Sequence, residues 1–286
     1  MGPTRYGDLP KKATNLLTDD YNFDRKFKLV TKSGSGVTFT SEGTLAPKKV
    51  DAKLTAKFAP APGVSVDKLQ LTSAGRIIAE STFKNVVKST DVVVKVQDGA
   101  GKSPNGELEV KHTAPKFTVD AAVDVVQGPS LTVSGTVAPV DKWVVGATVK
   151  YNTNYDAKKD PVFEDYGVTV AHQTADATLA LATKSKLSAL SLTAYVEPSD
   201  VAQVAFQADA SLKSDAKLGD VTLAVGGLYV LDKDSKVQAK VDSKGLVSAN
   251  YHVNIRPGVK GVASVQIDAL QIAGDSHKFG LSLILA

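Results

Sequence analysis

Lysine carries most of the chemistry this sequence offers. Lys53 and Lys57 alternate with Val50, Ala52, Leu54, Ala56 and Phe58, next to Asp51. Lys95, Lys111, Lys150, Lys236 and Lys240 hold the same kind of position in later stretches, with Asp120, Asp124 and Asp242 among them. Lys11 and Lys12 come earlier, with Arg5 just before them. Spaced ammonium groups on one wet face do no covalent work. What they do is raise the local concentration of anions along that face.

The residue types that covalent chemistry needs are missing or scattered. There are no cysteines, which excludes disulfides, thiolate nucleophiles and cysteine-ligated zinc. His112, His172, His252 and His277 share no metal-ligand spacing. Val96 to Ser103 mimics the end of a phosphate-cradling loop. It lacks the first glycine and any strand–loop–helix setting, and it reads as a polar hairpin turn. Serine, aspartate and histidine all occur, but no nucleophile elbow gathers them. Asp19-Asp20 sits at an exposed junction, where it suits a helix end better than acid–base work. No enzyme, cofactor or metal is expected.

The elements that must position these residues follow from periodicity. Leu9, Ala13, Leu16 and Leu17 fall on one face of a helix over residues 6–18, with Lys11, Lys12 and Asn15 off that face. Asp8 is placed to cap it, and Pro10 is tolerable in a first turn. So short a helix is marginal alone and needs a surface to lean on. Leu9, Ala13 and Leu16 are the residues expected to pack it against a wall. From about Phe23 the period becomes two. The rows Phe117 to Val125, Trp143 to Tyr151, Val204 to Leu212, Val221 to Tyr229 and Phe279 to Leu285 each have one apolar and one polar face. Turn signals such as Gly34-Ser35-Gly36, Pro104-Asn105-Gly106 and Arg256-Pro257-Gly258 divide roughly nineteen candidate strands.

Length and hydropathy fit a particular all-β class. The chain has 286 residues, of which 43% are hydrophobic. Nothing approaches the ~18 consecutive apolar residues of a membrane helix. A transmembrane barrel escapes that test, because only alternate residues of its ~9–11-residue strands face lipid. The apolar rows are Val, Leu and Ala with a few aromatics, and the polar rows are equally continuous. That pattern suits lipid outside and water inside. The net charge of +4 is too mild to imply nucleic acid. The start, Met1 to Tyr6, has no apolar signal core, and no Asn-x-Ser/Thr acceptor occurs, so synthesis in the cytosol without entry into the secretory route is expected.

Several stretches resemble the mitochondrial porin family, the voltage-dependent anion channels. At the start these are Tyr6-Gly7-Asp8-Leu9, Lys12-Ala13 and Tyr21-x-Phe23. Gly128-Pro129-Ser130 lies in the middle. The C-terminal third has Tyr229-x-x-Asp232, Ser235, Ala239-Lys240-Val241-Asp242-Ser243, Gly245-Leu246, Ala249-x-Tyr251, Pro257-Gly258-Val259-Lys260 and His277-Lys278-Phe279-Gly280-Leu281. The likeness spans the chain but is faint over residues 59–115. Lys233 stands where the family usually has a small or acidic residue, and Val86-Val87-Lys88 only partly resembles a Gly-Leu-Lys segment. Lys68 falls where some animal members carry a lipid-facing glutamate, so regulation tied to that glutamate is not transferred.

The resemblance implies an all-β fold: a single transmembrane β-barrel of about 19 strands with a short N-terminal helix inside the pore. Members of this family are themselves the known odd-numbered barrels, so the count above is not independent of the likeness. In domain terms, residues 1–22 would be a helical segment in the lumen and 23–286 the barrel. An odd count requires strands near Arg25–Thr31 and Lys278–Leu285 to pair in parallel. The implied function is a voltage-gated, weakly anion-selective channel of the mitochondrial outer membrane for ATP, ADP, phosphate and small metabolites. Its partners would be membrane lipid and the permeating anions and nucleotides, with a homo-oligomer left open and no nucleic acid. Lys11, Lys12, Lys53, Lys57, Lys95, Lys111, Lys236 and Lys240 would be the anion-attracting pore lining. Two other readings stay open: the pore subunit of the outer-membrane protein translocase, and a soluble β-rich binding protein.

Overall fold

The computed structural model describes residues 2–46, 49–99, 101–126, 130–152, 162–212 and 221–286. Among the described residues, apart from a 3-10 turn at Tyr6–Asp8 and one helix, α1 at Lys11–Thr18, every regular element is a strand. The first nine are β1 Arg25–Lys32, β2 Thr38–Ala46, β3 Lys49–Ala61, β4 Val64–Thr72, β5 Ile77–Val87, β6 Thr90–Gly99, β7 Lys102–Thr113, β8 Phe117–Asp124 and β9 Ser130–Val140. Then come β10 Trp143–Asn152, β11 Phe163–Gln173, β12 Ala177–Lys184, β13 Ala189–Ser199 and β14 Ala202–Ser211. The last five are β15 Thr222–Val230, β16 Ser235–Asp242, β17 Leu246–Arg256, β18 Val259–Asp268 and β19 Lys278–Leu285.

Each strand is hydrogen-bonded to the next, and β1 also pairs with β19, which closes a nineteen-stranded barrel with no free edge. Neighbours such as β6 and β7, or β16 and β17, are antiparallel. An odd total makes β1 and β19 run the same way, as the sequence requires. Gly128-Pro129 and Ala100 lie outside the described residues; Ser130 opens β9.

Burial is inverted relative to a water-soluble sheet. The apolar rows are open: Val204 is 47% exposed, Val225 46% and Leu281 54%. The most buried side chains include Thr118, Ser248, Asn250 and Ser264, all from the alternate, polar rows. Val, Leu and Phe rows that met one another in a dry interior would show the reverse. A lipid solvent accounts for the pattern, because backbone groups are satisfied within the sheet and apolar side chains face hydrocarbon. Lys68 belongs to a polar row, with Glu80 as its register partner beside a bulge at Val66/Lys68.

By packing, the chain groups into two compact units. The first holds Met1–Tyr6, Lys28–Pro139 and Gly146–Tyr166; the second holds Gly7–Phe27, Val140–Val145 and Gly167–Ala286. Polar faces in both units carry docked pieces of the N-terminal segment.

Candidate functional site

In the first unit, residues 2–6 run along the polar faces of β7, β8 and β9. Arg5 pairs with Asp120 and donates to Thr113 Oγ1 at 2.7 Å. Thr136 Oγ1 donates to the Thr4 carbonyl at 2.9 Å and is itself 2.6 Å from Thr118 Oγ1. These contacts hold Thr4 and Arg5 through polar groups.

In the second unit, α1 is amphipathic and lands on small residues. Leu9 is buried against Val144, Ala171 and Ala180. Ala13, Leu16 and Leu17 pack on Tyr195 and Ala205, with Ala224 and Leu228 at the margin. Gly226 completes the seat. A Cβ there would come within 2.9 Å of Leu17 Cδ2 and 2.8 Å of the Ala239 carbonyl oxygen, so only glycine lets the helix approach. Lys11, Lys12 and Asn15 lie outside this buried contact and are exposed.

The helix start corrects one expectation. Pro10, not Asp8, precedes the first helical residue, and no side chain caps it. A cap must sit immediately before the helix to reach its free N–H groups. The 3-10 turn leaves Asp8 too far back, and it pairs with Lys11 instead.

The helix end is closed by the wall. The last carbonyls of any helix lack intrahelical partners. Here Gln238 Nε2 donates to the Leu16 carbonyl at 2.6 Å, and Lys240 Nζ donates to the Leu17 carbonyl at 2.6 Å. A cation at this end also complements the helix dipole. Asp19 to Asn22 then run over a polar seam. Gln238 Nε2 reaches the Asp19 carbonyl at 3.3 Å, Ser264 Oγ the Asp20 carbonyl at 3.4 Å, and Asn22 Nδ2 donates to Ser282 Oγ at 3.2 Å. Asp20 has a φ of 67°, a left-handed conformation uncommon outside glycine. Tyr21 lies over Lys240, whose Nζ is 4.4 Å from the ring centroid. Burial pushes the Tyr21 phenol up to about 12.

The eight lysines singled out by sequence fall into different settings. Lys11 is paired with Asp8, and Lys12 lies 5.3 Å from the Tyr195 ring centroid, within cation–π range. Lys53 pairs with Glu42 at 2.7 Å. Lys95 pairs with Glu107 and Glu109 at 2.7 and 3.0 Å, and Lys111 with Glu109 at 3.2 Å. Lys150, noted with them, pairs with Glu164 at 2.6 Å. Lys240 holds the helix end. Lys57 and Lys236 make no ion pair among the described residues. The structure therefore places Lys12 on the docked segment against Tyr195 and brings Lys240 to the helix end. In the first unit it ties Lys53, Lys95 and Lys111 to carboxylates that reduce their field.

Sequence reasoning missed Gln238, Ser264 and the alanine seat. One signal was present: Ala171, Ala180 and Ala205 put apolar residues where polar rows should continue, as a covered patch requires. No group of acidic, histidine or cysteine side chains fit to hold a metal occurs among the described residues.

Comparison with known proteins gives a consistent result. A sequence model of the eukaryotic porin family matches residues 2–280. Mitochondrial outer membrane protein porin 2 of Oryza sativa is 29% identical over 99% of this chain and 96% of its own length. The mitochondrial outer membrane protein porin of Candida albicans is 28% identical over the full length of both chains. The voltage-dependent anion-selective channel of Drosophila melanogaster is 26% identical, covering 100% of this chain and 99% of its own.

Proposed function

Given that the chain belongs to the eukaryotic porin family, we propose that it is a voltage-gated, weakly anion-selective channel of the mitochondrial outer membrane. It passes ATP, ADP, phosphate and small metabolites by diffusion. The observation that carries this reading is the inverted burial of a closed sheet, with open apolar rows and lysine-bearing polar rows on opposite faces. The polar rows are the lumen wall, residues 1–22 lie within the lumen, and residues 23–286 form the barrel as one domain.

Selectivity is weak for a physical reason. Wall charge is felt over a screening length of about 8–10 Å, so ions near the axis of a wide pore pass largely unsorted. Pairing of Lys53, Lys95 and Lys111 with glutamates weakens the bias further. The least neutralised cations, Lys12, Lys57 and Lys236, then contribute most of it. Nucleotides, with several negative charges, feel this more than chloride. Gating follows from the field: one charge crossing it is worth ~2.3 kcal/mol per 100 mV. The docked segment, with Lys11 and Lys12 exposed, is the element that responds.

Reconstitution in planar bilayers with a potassium chloride gradient tests the proposal. The expected result is discrete conductance, a reversal potential favouring chloride, and partial closure at tens of millivolts. Absence of conductance overturns the channel, and a potassium-favouring potential overturns its anion preference.

A further inference from the structure

The connection between β18 and β19, within the second unit, holds apolar side chains in the open. Among the described residues the three most exposed large apolar side chains are Leu270 at 75%, Ile272 at 73% and Phe279 at 69%, and all three fall within residues 270–279. Single exposed apolar residues need no explanation, but a cluster of them does.

This connection is not slack. Asp268 Oδ1 accepts from the amides of Leu270 and Gln271, each at 3.1 Å, and Asp268 Oδ2 accepts from Ser276 Oγ at 3.0 Å. His277 closes the far side. Its Nδ1 accepts from the Asp268 amide at 3.2 Å, and its Nε2 donates to the Ile272 carbonyl at 2.8 Å. The Gly274 amide turns back to the Gln271 carbonyl at 2.9 Å. Ordering a loop costs conformational entropy. A loop ordered so as to leave Leu270 and Ile272 bare implies that something covers them.

The surroundings identify the cover. Ile267 and Phe279 end the outward, lipid-facing rows of β18 and β19, with Val247 and Val265 as their register partners. Leu270 leans on Gly245, where a Cβ would collide with the leucine. Counted by twos from Ala249 and Val247, Gly245 is the next place on the outward row of β17. The apolar surface thus continues from the lipid-facing wall into the loop. Charge does not single out a partner. Lys244 and Lys278 stand near the loop against Asp242, Asp268 and Asp275, and His277 is bonded at both ring nitrogens. Asp242 and Asp268 already accept from backbone amides of their own turns. An apolar surface of nearly balanced charge, continuous with hydrocarbon-facing rows, fits the boundary between lipid headgroups and acyl chains. There aliphatic side chains are buried while the loop backbone stays hydrated.

We propose that this loop is a membrane anchor: Leu270 and Ile272 insert at the headgroup–acyl boundary of the bilayer around this edge of the barrel. Asp268 and His277 hold the loop that presents them. The proposal rests on the barrel reading for the position of the bilayer, and goes beyond it in assigning a segment outside the strands to lipid.

The test uses the full chain refolded into phosphatidylcholine bilayers. The chain has no cysteine, so Ala273→Cys places one nitroxide label beside the two aliphatic residues and leaves both in place. Leu281→Cys on the lipid-facing row and Ser35→Cys in the exposed turn between β1 and β2 give the lipid and water references. Collisional relaxation by oxygen, which concentrates in lipid, is compared with that by a water-soluble nickel chelate. The oxygen-to-nickel ratio of the Ala273 label should be at least about threefold that of the Ser35 label and below that of the Leu281 label. Leu270→Ser with Ile272→Ser should bring it down to the Ser35 value. His277→Ala, which removes both bonds closing the loop, should lower it by less. A ratio equal to the Ser35 value in the otherwise native chain overturns the anchor, as does a ratio unmoved by the double serine variant. Spin–spin broadening that vanishes on dilution with unlabelled chain also overturns it, because a second copy is then the cover. A lipid-like Leu281 label with a water-like Ala273 label removes only the anchor. A water-like Leu281 label removes the lipid-facing wall itself.

Discussion

The two halves of the docked segment in the second unit are held by opposite physics. The apolar face of residues 9–17 sits dry, with Leu9 and Leu17 at 1% and 2% exposure on alanines and a glycine. Residues 19–22 sit on serine and glutamine, held through the backbone carbonyls of Asp19 and Asp20 and the side chain of Asn22. Apolar contact is strong but indifferent to direction, so a helix on alanines can slide or lift without breaking a specific bond. The polar seam is directional: displaced by an ångström, it loses its bonds together. The dry half supplies most of the holding energy, and the wet half fixes where the helix ends.

This contrast can be broken most severely at Leu17. Leu17→Ala should weaken docking by about 2–5 kcal/mol, the usual cost of emptying a buried leucine site. A spin label on Asn15→Cys, in a chain with no other cysteine, should change from immobile to mobile. If the label stays immobile, the seam alone holds the segment. Next comes Gln238→Leu with Lys240→Met, which removes the donors to Leu16 and Leu17. Hydrogen bonds of this kind contribute about 0.5–1.5 kcal/mol each. Amide hydrogen exchange should quicken at Asp19 and Asn22 while Leu17 packing persists. Loss of the whole helix instead would mean that the two halves are one cooperative unit.

Smaller in docking energy is Lys11→Glu with Lys12→Glu. Both side chains are exposed, so stability should move by less than about 1 kcal/mol. The reversal potential should nonetheless shift toward potassium and the gating voltage should change; if neither does, these lysines have no part in permeation. The last effect is invisible at neutral pH. Tyr21 titrates near 12 when docked, against 10.0 for a free phenol. Its contribution is therefore complete below about pH 10 and is lost as pH rises through about 12. Absorbance of tyrosinate should lose a late-titrating phenol in Tyr21→Phe. A Tyr21 that titrates near 10 would mean that the seam is already open.

The strands and the apolar helix face were legible because each follows from a local period. β19 spans Lys278–Leu285 as the alternation indicates, and Leu9, Ala13, Leu16 and Leu17 share one face. The helix termini were not legible. The groups that close the C-terminal end lie 222 and 223 positions away in sequence, on β16. Asp8 fits a capping pattern by type, but the 3-10 turn and Pro10 move the real start past it. Lysine spacing revealed which face is wet, yet not which charges are cancelled. Glu107 and Glu109 sit on the strand beside Lys95, and that pairing depends on register.

The seam between β1 and β19 has a consequence for assembly. Its two strands are separated by nearly the whole chain, so the circle cannot shut until the last strand has been synthesised. A polypeptide halted before Lys278 would present two unpaired edges, each able to recruit strands from other molecules. Closure this non-local is slow in kinetic terms, and it leaves a long interval in which the greasy rows need shelter. Insertion into the bilayer is therefore expected to follow release from the ribosome, with a holding factor bridging the wait.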